Sequence, residues 1–221
     1  MRPWEKQNNR IEQAKIDRVE TMKQIIATGL EIPDARTKTL YFLLYLTGGR
    51  MCELVRKYEY SMEKLGFVIN EKGKKVYKYN KQRTGNIFPS IRGRDIEMAK
   101  GVDRPVVLIH LRNEKHRKVH QKTIPLPLDL EETNIIYSAI KDYIASIGQE
   151  DELFPFGYQY GYRLLKPYFN PHWFRHVRAT HLITSYGFSE SQLRNMMGWS
   201  DSRPAGIYVS MDWRDTLRGF K

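Results

Sequence analysis

The sequence predicts an α+β domain, mainly α-helical, with a small antiparallel sheet. Three observations lead there. The run T-L-Y-F-L-L-Y-L-T, residues 39–47, is apolar on nearly every side, as a helix buried inside its domain must be. V-V-L-I-H-L, a basic turn and then Q-K-T-I-P-L read as two paired strands. Asn170 before Pro171, and Ser189 three residues before Gln192, are start signals for two further helices. A chain of 221 residues with 41% hydrophobic content supports one sizeable core plus an arm.

Charge and cysteine usage narrow the class. The formal net charge is +12, which implies an anionic partner, most often nucleic acid. Cys52 is the single cysteine, so neither an internal disulfide nor a multi-cysteine zinc pattern is available. No apolar run approaches the roughly 18 residues of a membrane span. The start, M-R-P-W-E-K-Q-N-N-R, lacks the apolar centre of a signal peptide. The expectation is a soluble intracellular protein with no membrane contact.

In chain order, residues 4–28 read as a charged helix with one apolar stripe (Ile11, Ala14, Val19, Met22, Ile25), capped at Gly29. Asp34 opens the buried helix, and Gly48–Gly49 break it. Arg50 follows at once, with Glu53 three residues later. That pair reads either as a surface ion pair or as an arginine held at a fixed point beside the core. Residues 58–94 are the most polar and basic stretch. F-V-I-N, E-K-G-K and K-V-Y-K-Y predict two strands around a turn, with K-Q-R-T-G-N and I-R-G-R as loop. Lysines and arginines alternate there with Tyr77, Tyr79 and Phe88, a mix that suits phosphate neutralisation and stacking as well as a solvated hairpin. The turn R-N-E-K-H-R-K-V carries Arg112, Lys115, His116, Arg117 and Lys118 at a hairpin tip. Asp129 with Glu132 resembles a capping box ahead of a helix whose apolar face is Ile135, Ile136, Ala139, Ile140, Tyr143 and Ile144, ending at Gly148. A short helix near 160–168 precedes N-P-H-W-F-R-H-V-R-A-T-H-L, where His172 and Arg175, three apart, share a helix face. Gly198 fits the end of the helix that Ser189 begins.

Several chemistries are disfavoured. His172 and His176 have the i,i+4 spacing of zinc ligands, but H-W-F-R-H lacks the glutamate of H-E-x-x-H, and Arg175 beside a cation opposes binding. No phosphate-binding loop, G-x-S-x-G elbow or paired-carboxylate nuclease pattern occurs. Arg50, Lys115, His172, Arg175, Trp199 and Tyr208 are all donors or nucleophiles suited to a phosphodiester. Two guanidiniums clamp non-bridging oxygens. A tyrosine attacks phosphorus, a lysine protonates the leaving alkoxide, a histidine relays the tyrosine proton, and an indole N–H donates to a phosphate oxygen. None of this calls for a metal or other cofactor.

These residues carry a resemblance to the tyrosine recombinase, or phage integrase-like, family. T-G-G-R-M-C-E-L resembles its T-G-x-R-x-x-E-L motif, with Arg50 as the arginine and Glu53 as its acidic companion. P-H-W-F-R-H-V-R-A-T-H-L resembles P-H-x-L-R-H-x-x-A-T-H-L, placing His172 and Arg175. M-M-G-W-S-D-S-R-P-A-G-I-Y resembles L-G-H-S-x-x-x-T-x-x-Y. Trp199 there stands where many members have histidine and some tryptophan, and Tyr208 stands at the nucleophile. L-I-H-L-R-N-E-K resembles the strand bearing the family's lysine, assigned to Lys115, with Lys118 and Lys122 as competitors in an unfixed hairpin register.

The resemblance spans about residues 34–211. It implies the tyrosine recombinase catalytic-domain fold over 34–221, after an arm or linker at 1–33, with a basic hairpin insertion around 66–100. It implies a DNA strand transferase working through a 3′-phosphotyrosyl intermediate, on double-stranded DNA, as a homotetramer there and a monomer without it. Lys74, Lys75, Lys78, Arg83, Arg112, Arg117 and Lys118 are the expected DNA contacts. The competing readings are a non-cleaving DNA-binding module of the same fold and a relaxing topoisomerase of the type IB kind. Members usually carry a further N-terminal helical domain, so the chain reads either as a catalytic domain or as a minimal enzyme.

Overall fold

The computed structural model describes residues 23–113 and 120–199. Lys115, Arg117, Lys118 and Tyr208 lie outside that range. The elements are α1 (residues 23–31), α2 (Ala35–Thr47), α3 (Met51–Leu54), β1 (Lys57–Ile69), β2 (Lys75–Phe88), a 3-10 turn at Gly93–Asp95, β3 (Ile96–Met98), β4 (Val106–Asn113) and β5 (His120–Pro127). They continue with α4 (Glu131–Ser146), α5 (Tyr158–Leu165), α6 (Pro171–Thr184) and α7 (Glu190–Met197). The α+β expectation, mainly helical with small antiparallel sheets, holds.

Helix α2 is the axis of the core. Every residue from Thr39 to Thr47 is buried, and α4 and α6 pack against it. It begins where the sequence placed it, with the Asp34 carboxylate accepting from the Thr37 amide at 2.8 Å. That hydrogen bonding, with the Thr37 hydroxyl contributing most, holds the Asp34 carboxyl below its usual range. Helix α1 does not stop at Gly29 but runs on to residue 31. Gly29 serves packing instead: a Cβ there would lie 2.4 Å from Cζ of Phe42. Ile25 and Ile32 are buried in the common core, and the Tyr41 hydroxyl donates to the Ile25 carbonyl at 3.0 Å.

A three-stranded antiparallel sheet, ordered β3-β4-β5, covers one side. Alternation sends Val107, Ile109 and Leu111 of β4 inward, with Ile124 and Leu126 of β5. Lys122 shares that inward face, two residues before Ile124, and is buried. The short edge strand β3 was not anticipated. Helix α4 starts at Glu131 with Leu130 as its N-cap, so the expected Asp129 cap does not form. Asp129 pairs with Arg104 instead, and this holds its carboxyl low. Ile136, Ile140 and Ile144 of α4 are buried, whereas Ile135 is exposed.

The basic hairpin is longer than expected. Among the described residues, strands β1 and β2 pair with each other and with no third strand, and K-Q-R-T-G-N, expected as loop, is part of β2. The register shifts at two bulges, between Tyr58 and Tyr60 and between Lys64 and Gly66.

The candidate phosphodiester site

The site forms where the end of α2, the start of α3, the first turns of α6 and the end of α7 meet. Gly48 ends α2 in the left-handed conformation (φ 55°), and its amide returns to the Tyr45 carbonyl. A Cβ at Gly48 would lie 2.7 Å from Sδ of Met197, so a larger residue there would displace the Met197 side chain as well as strain the left-handed backbone. Thr47 secures the turn: its hydroxyl donates to the Leu43 carbonyl at 2.6 Å and accepts from the Gly49 amide at 3.0 Å.

Arg50 is the N-cap of α3. Oε2 of Glu53 accepts from the Arg50 amide at 3.1 Å, while Oε1 lies 3.2 Å from Nη1 of the Arg50 guanidinium. Glu53 is only 2% exposed, which separates this pair from an ordinary surface i,i+3 contact. The ammonium of Lys122 stands 2.9 Å from Glu53 Oε2. One buried carboxylate therefore fixes Arg50 and neutralises Lys122. Burial pushes the Lys122 ammonium below its usual range, Glu53 opposes that, and nearby Arg175 and Arg50 add to it.

Arg175 projects from α6, capped by Asn170 with Pro171 in the first turn as expected. Arg175 is 8% exposed, and its guanidinium donates to the Gly48 carbonyl at 2.7 Å and the Met197 carbonyl at 2.6 Å. Its carbon lies 5.4 Å from the centroid of the Trp199 ring. Two helix ends thus lock one cation in place. Ser189 and Gln192 form the expected capping box of α7, and Gly198 ends it in the left-handed conformation, delivering Trp199.

Arg50, His172, Arg175 and Trp199 line a single pocket of about 320 Å³, together with Cys52, Tyr158 and His176. The His172 and His176 rings meet edge to face, 5.2 Å between centroids. Among the described residues no group of three His, Cys, Asp or Glu side chains is placed to hold a metal ion. Sequence reasoning did not place Cys52 or Tyr158 at the site. The signal for Cys52 was available, two residues past Arg50 on the same short helix.

Beneath α6 lies a second polar cluster that the motifs did not reveal. Glu132 of α4 accepts from Arg178 at 3.3 Å and from the Tyr186 hydroxyl, and it faces Nε2 of His181 at 3.5 Å. Tyr45 of α2 bonds Nδ1 of His181 at 3.2 Å. Burial drives the His181 pKa down to about 4, with Glu132 opposing and Arg178 assisting. The cluster ties the underside of α6 to α2 and α4.

The five expected DNA contacts among the described residues do not line the pocket. Arg112 donates to the Pro89 carbonyl at the hairpin root. Arg83 stacks over Tyr58, 3.5 Å from the ring centroid, and Lys75 sits over Phe67 at 4.6 Å. Lys74 is in the turn, and Lys78 pairs opposite Gly66.

No family model and no curated protein matches the chain. Solved structures do. The XerH site-specific recombinase bound to difH substrate, in a pre-cleavage complex, superposes with a TM-score of 0.53 over 91% of this chain and 52% of its own, at 14% identity. The chain has the fold of a site-specific recombinase. XerH in its post-cleavage complex with palindromic difH gives a TM-score of 0.54 over 91% and 51%, at 13% identity. The chain therefore spans about half the length of the XerH structures it matches.

Proposed function

We propose that the chain is the catalytic domain of a site-specific DNA recombinase that cuts and rejoins strands through Tyr208. One observation carries this reading. Arg50, His172, Arg175 and Trp199, from separated stretches, line one pocket in a fold shared with XerH. A scissile phosphate in that pocket meets two guanidiniums of fixed orientation. They favour the extra negative charge of the five-coordinate transition state over the ground state.

Oη of Tyr208 attacks phosphorus, the bond to the 5′-oxygen breaks, and a 3′-phosphotyrosyl ester forms. The tyrosine proton passes to His172, and the Lys115 ammonium protonates the departing 5′-oxygen. Attack by a 5′-hydroxyl on the ester reverses the step, so bond energy is conserved and no nucleotide hydrolysis is needed. Lys122, buried against Glu53, is assigned to holding the site rather than to proton delivery. Four protomers acting on two double-stranded sites complete an exchange.

A pool of random-sequence nicked duplexes tests the assignment. The nick lets the 5′-hydroxyl fragment diffuse away, trapping covalent adduct that survives denaturing electrophoresis. Wild type accumulates adduct and Tyr208→Phe accumulates none; equal adduct from both sinks the assignment of Tyr208. Arg50→Ala lowers the adduct rate by about 10²–10³ with less than a tenfold change in DNA affinity. Sequencing the trapped DNA reads out the target site.

A further inference from the structure

The β1–β2 hairpin carries eight cations against three carboxylates, yet its two faces are unlike. The cross-strand pairs Tyr60–Arg83, Met62–Lys81, Lys64–Tyr79, Phe67–Tyr77 and Ile69–Lys75 share one face, because the bulge at Leu65 shifts the alternation of β1 by one residue while β2 runs on unbroken. This face bears four aromatic rings, four cations and no carboxylate. Over the same stretch the opposite face pairs Ser61–Gln82, Glu63–Asn80, Gly66–Lys78 and Val68–Val76, with one cation, one carboxylate and no ring; only at the root does Lys57–Phe88 add a cation and a ring to it. Tyr60, Phe67, Tyr77 and Tyr79 are each more than 40% exposed.

The rings hold the cations in order. Lys81 lies over Tyr60 at 4.1 Å, Lys64 over Tyr77 at 3.7 Å and Lys75 over Phe67 at 4.6 Å. An ammonium over a ring face is attracted to it and loses rotamer freedom in advance of binding. Three ring faces are thereby occupied, which disfavours base stacking on them and leaves a row of spaced positive charge. Such a row matches the phosphates of a duplex, whose major groove also admits a two-stranded ribbon. The face is continuous with the candidate site. Tyr60 and Lys81 at its near end line a cavity of about 440 Å³ together with Arg56 and Arg163, and Cys52 and Tyr158 line both this cavity and the site.

We infer that the aromatic-basic face of the hairpin is a second binding surface for duplex DNA, engaging the flank on one side of the cleaved phosphate. This rests on the reading of the site as a DNA strand transferase. At about 3.3 Å per residue, the 13 residues of β1 reach roughly 40 Å, or about 12 base pairs of flank. The face also sorts the expected contacts: Lys75 and Arg83 belong to the surface, whereas Lys78 points away and Lys74 sits in the turn.

Two charge-matched triple variants of the full chain test the inference on a 40-base-pair random-sequence duplex. Lys64→Glu with Lys75→Glu and Lys81→Glu alters the proposed face. Lys72→Glu with Lys74→Glu and Lys78→Glu alters the turn and the opposite face by the same charge. The first triple weakens binding on the order of 100-fold at about 0.1 M salt, and the second changes it less than fivefold. Hydroxyl-radical footprinting of the wild type gives protection reaching about 12 base pairs further on one side of the cleavage point than on the other. Equal effects of the two triples, or a symmetric wild-type footprint, overturn the inference while leaving the cleavage assignment standing. So does a wild-type self-association that the first triple abolishes without changing DNA affinity, which makes the face a contact between copies of the chain. A wild type that binds no duplex at all removes both readings.

Discussion

Arg175 is the residue where structure and chemistry meet most tightly. Its two backbone acceptors belong to the ends of α2 and α7, so the cation proposed to stabilise charge in the pocket also joins the helix ends that form it. Glu53 has the corresponding role for Arg50, and its burial could not be foreseen, because an i,i+3 arginine–glutamate pair looks the same on a surface. The motifs located both arginines, but the carbonyls that orient Arg175 come from distant turns and leave no local pattern. His181 tells a similar story nearly two turns further along α6. Its ring is 1% exposed, faces Tyr45, Glu132, Arg178 and Tyr186, and has its pKa depressed from 6.5 to about 4. Between those values the unfolded chain binds a proton that the folded chain does not. Stability therefore rises with pH across that window, is level above about 6.5, and falls as pH drops toward 4, by up to about 3 kcal/mol. Urea denaturation at pH 7 and pH 4.5 measures this. In His181→Gln the loss on acidification shrinks by most of that amount. The same pH dependence in variant and wild type refutes the assignment.

At the scale of elements, the turns that end the helices position the site. Gly48 and Gly198 both stop helices in the left-handed conformation, and each releases the chain directly into site residues. Such ends are legible because glycine after an apolar periodic run has a specific backbone meaning. The start of α4 was misjudged for the complementary reason. Asp129 has capping chemistry, but Arg104 across the surface competes for its carboxylate, and Glu132 is drawn inward to Arg178 and Tyr186. Tertiary partners overrode local preference. Gly48→Ala combines left-handed strain with displacement of Met197, whose carbonyl anchors Arg175. Its expected cost is about 2–3 kcal/mol. Gly187 has a similar φ of 65° but no atom within 4 Å of a built Cβ, so Gly187→Ala costs only about 1 kcal/mol. Thermal unfolding of the two variants separates strain from packing, and equal shifts in Tm refute the packing part.

Across the whole molecule, the sequence motifs located the pocket far better than they described the hairpin. The core of α2, the β4–β5 pair and the helix starts at Asn170 and Ser189 follow from burial and capping. The hairpin's length does not, because K-Q-R-T-G-N has loop composition and is carried in β2 by the pairing of Lys81–Arg83 and Ile87 with β1 on either side of a register shift. Its facial segregation depends on a bulge, which shifts the alternation by one residue and is invisible until the register is known. That register now makes the salt dependence of DNA binding quantitative. Arg50 and Arg175 in the pocket, with Lys64, Lys75, Lys81 and Arg83 on the hairpin face, give six expected phosphate contacts. Each contact releases condensed counterion and contributes about −0.9 to the slope of log affinity against log salt. The wild-type slope is therefore close to −5, a loss on the order of 10³ in affinity between about 50 and 200 mM salt. Arg50→Ala makes the slope shallower by about 1, and the Lys64, Lys75, Lys81 triple by about 3. Fluorescence anisotropy on a labelled 40-base-pair duplex over that salt range measures all three slopes. A wild-type slope shallower than about −2 leaves too few phosphates for pocket and hairpin to be engaged by one duplex.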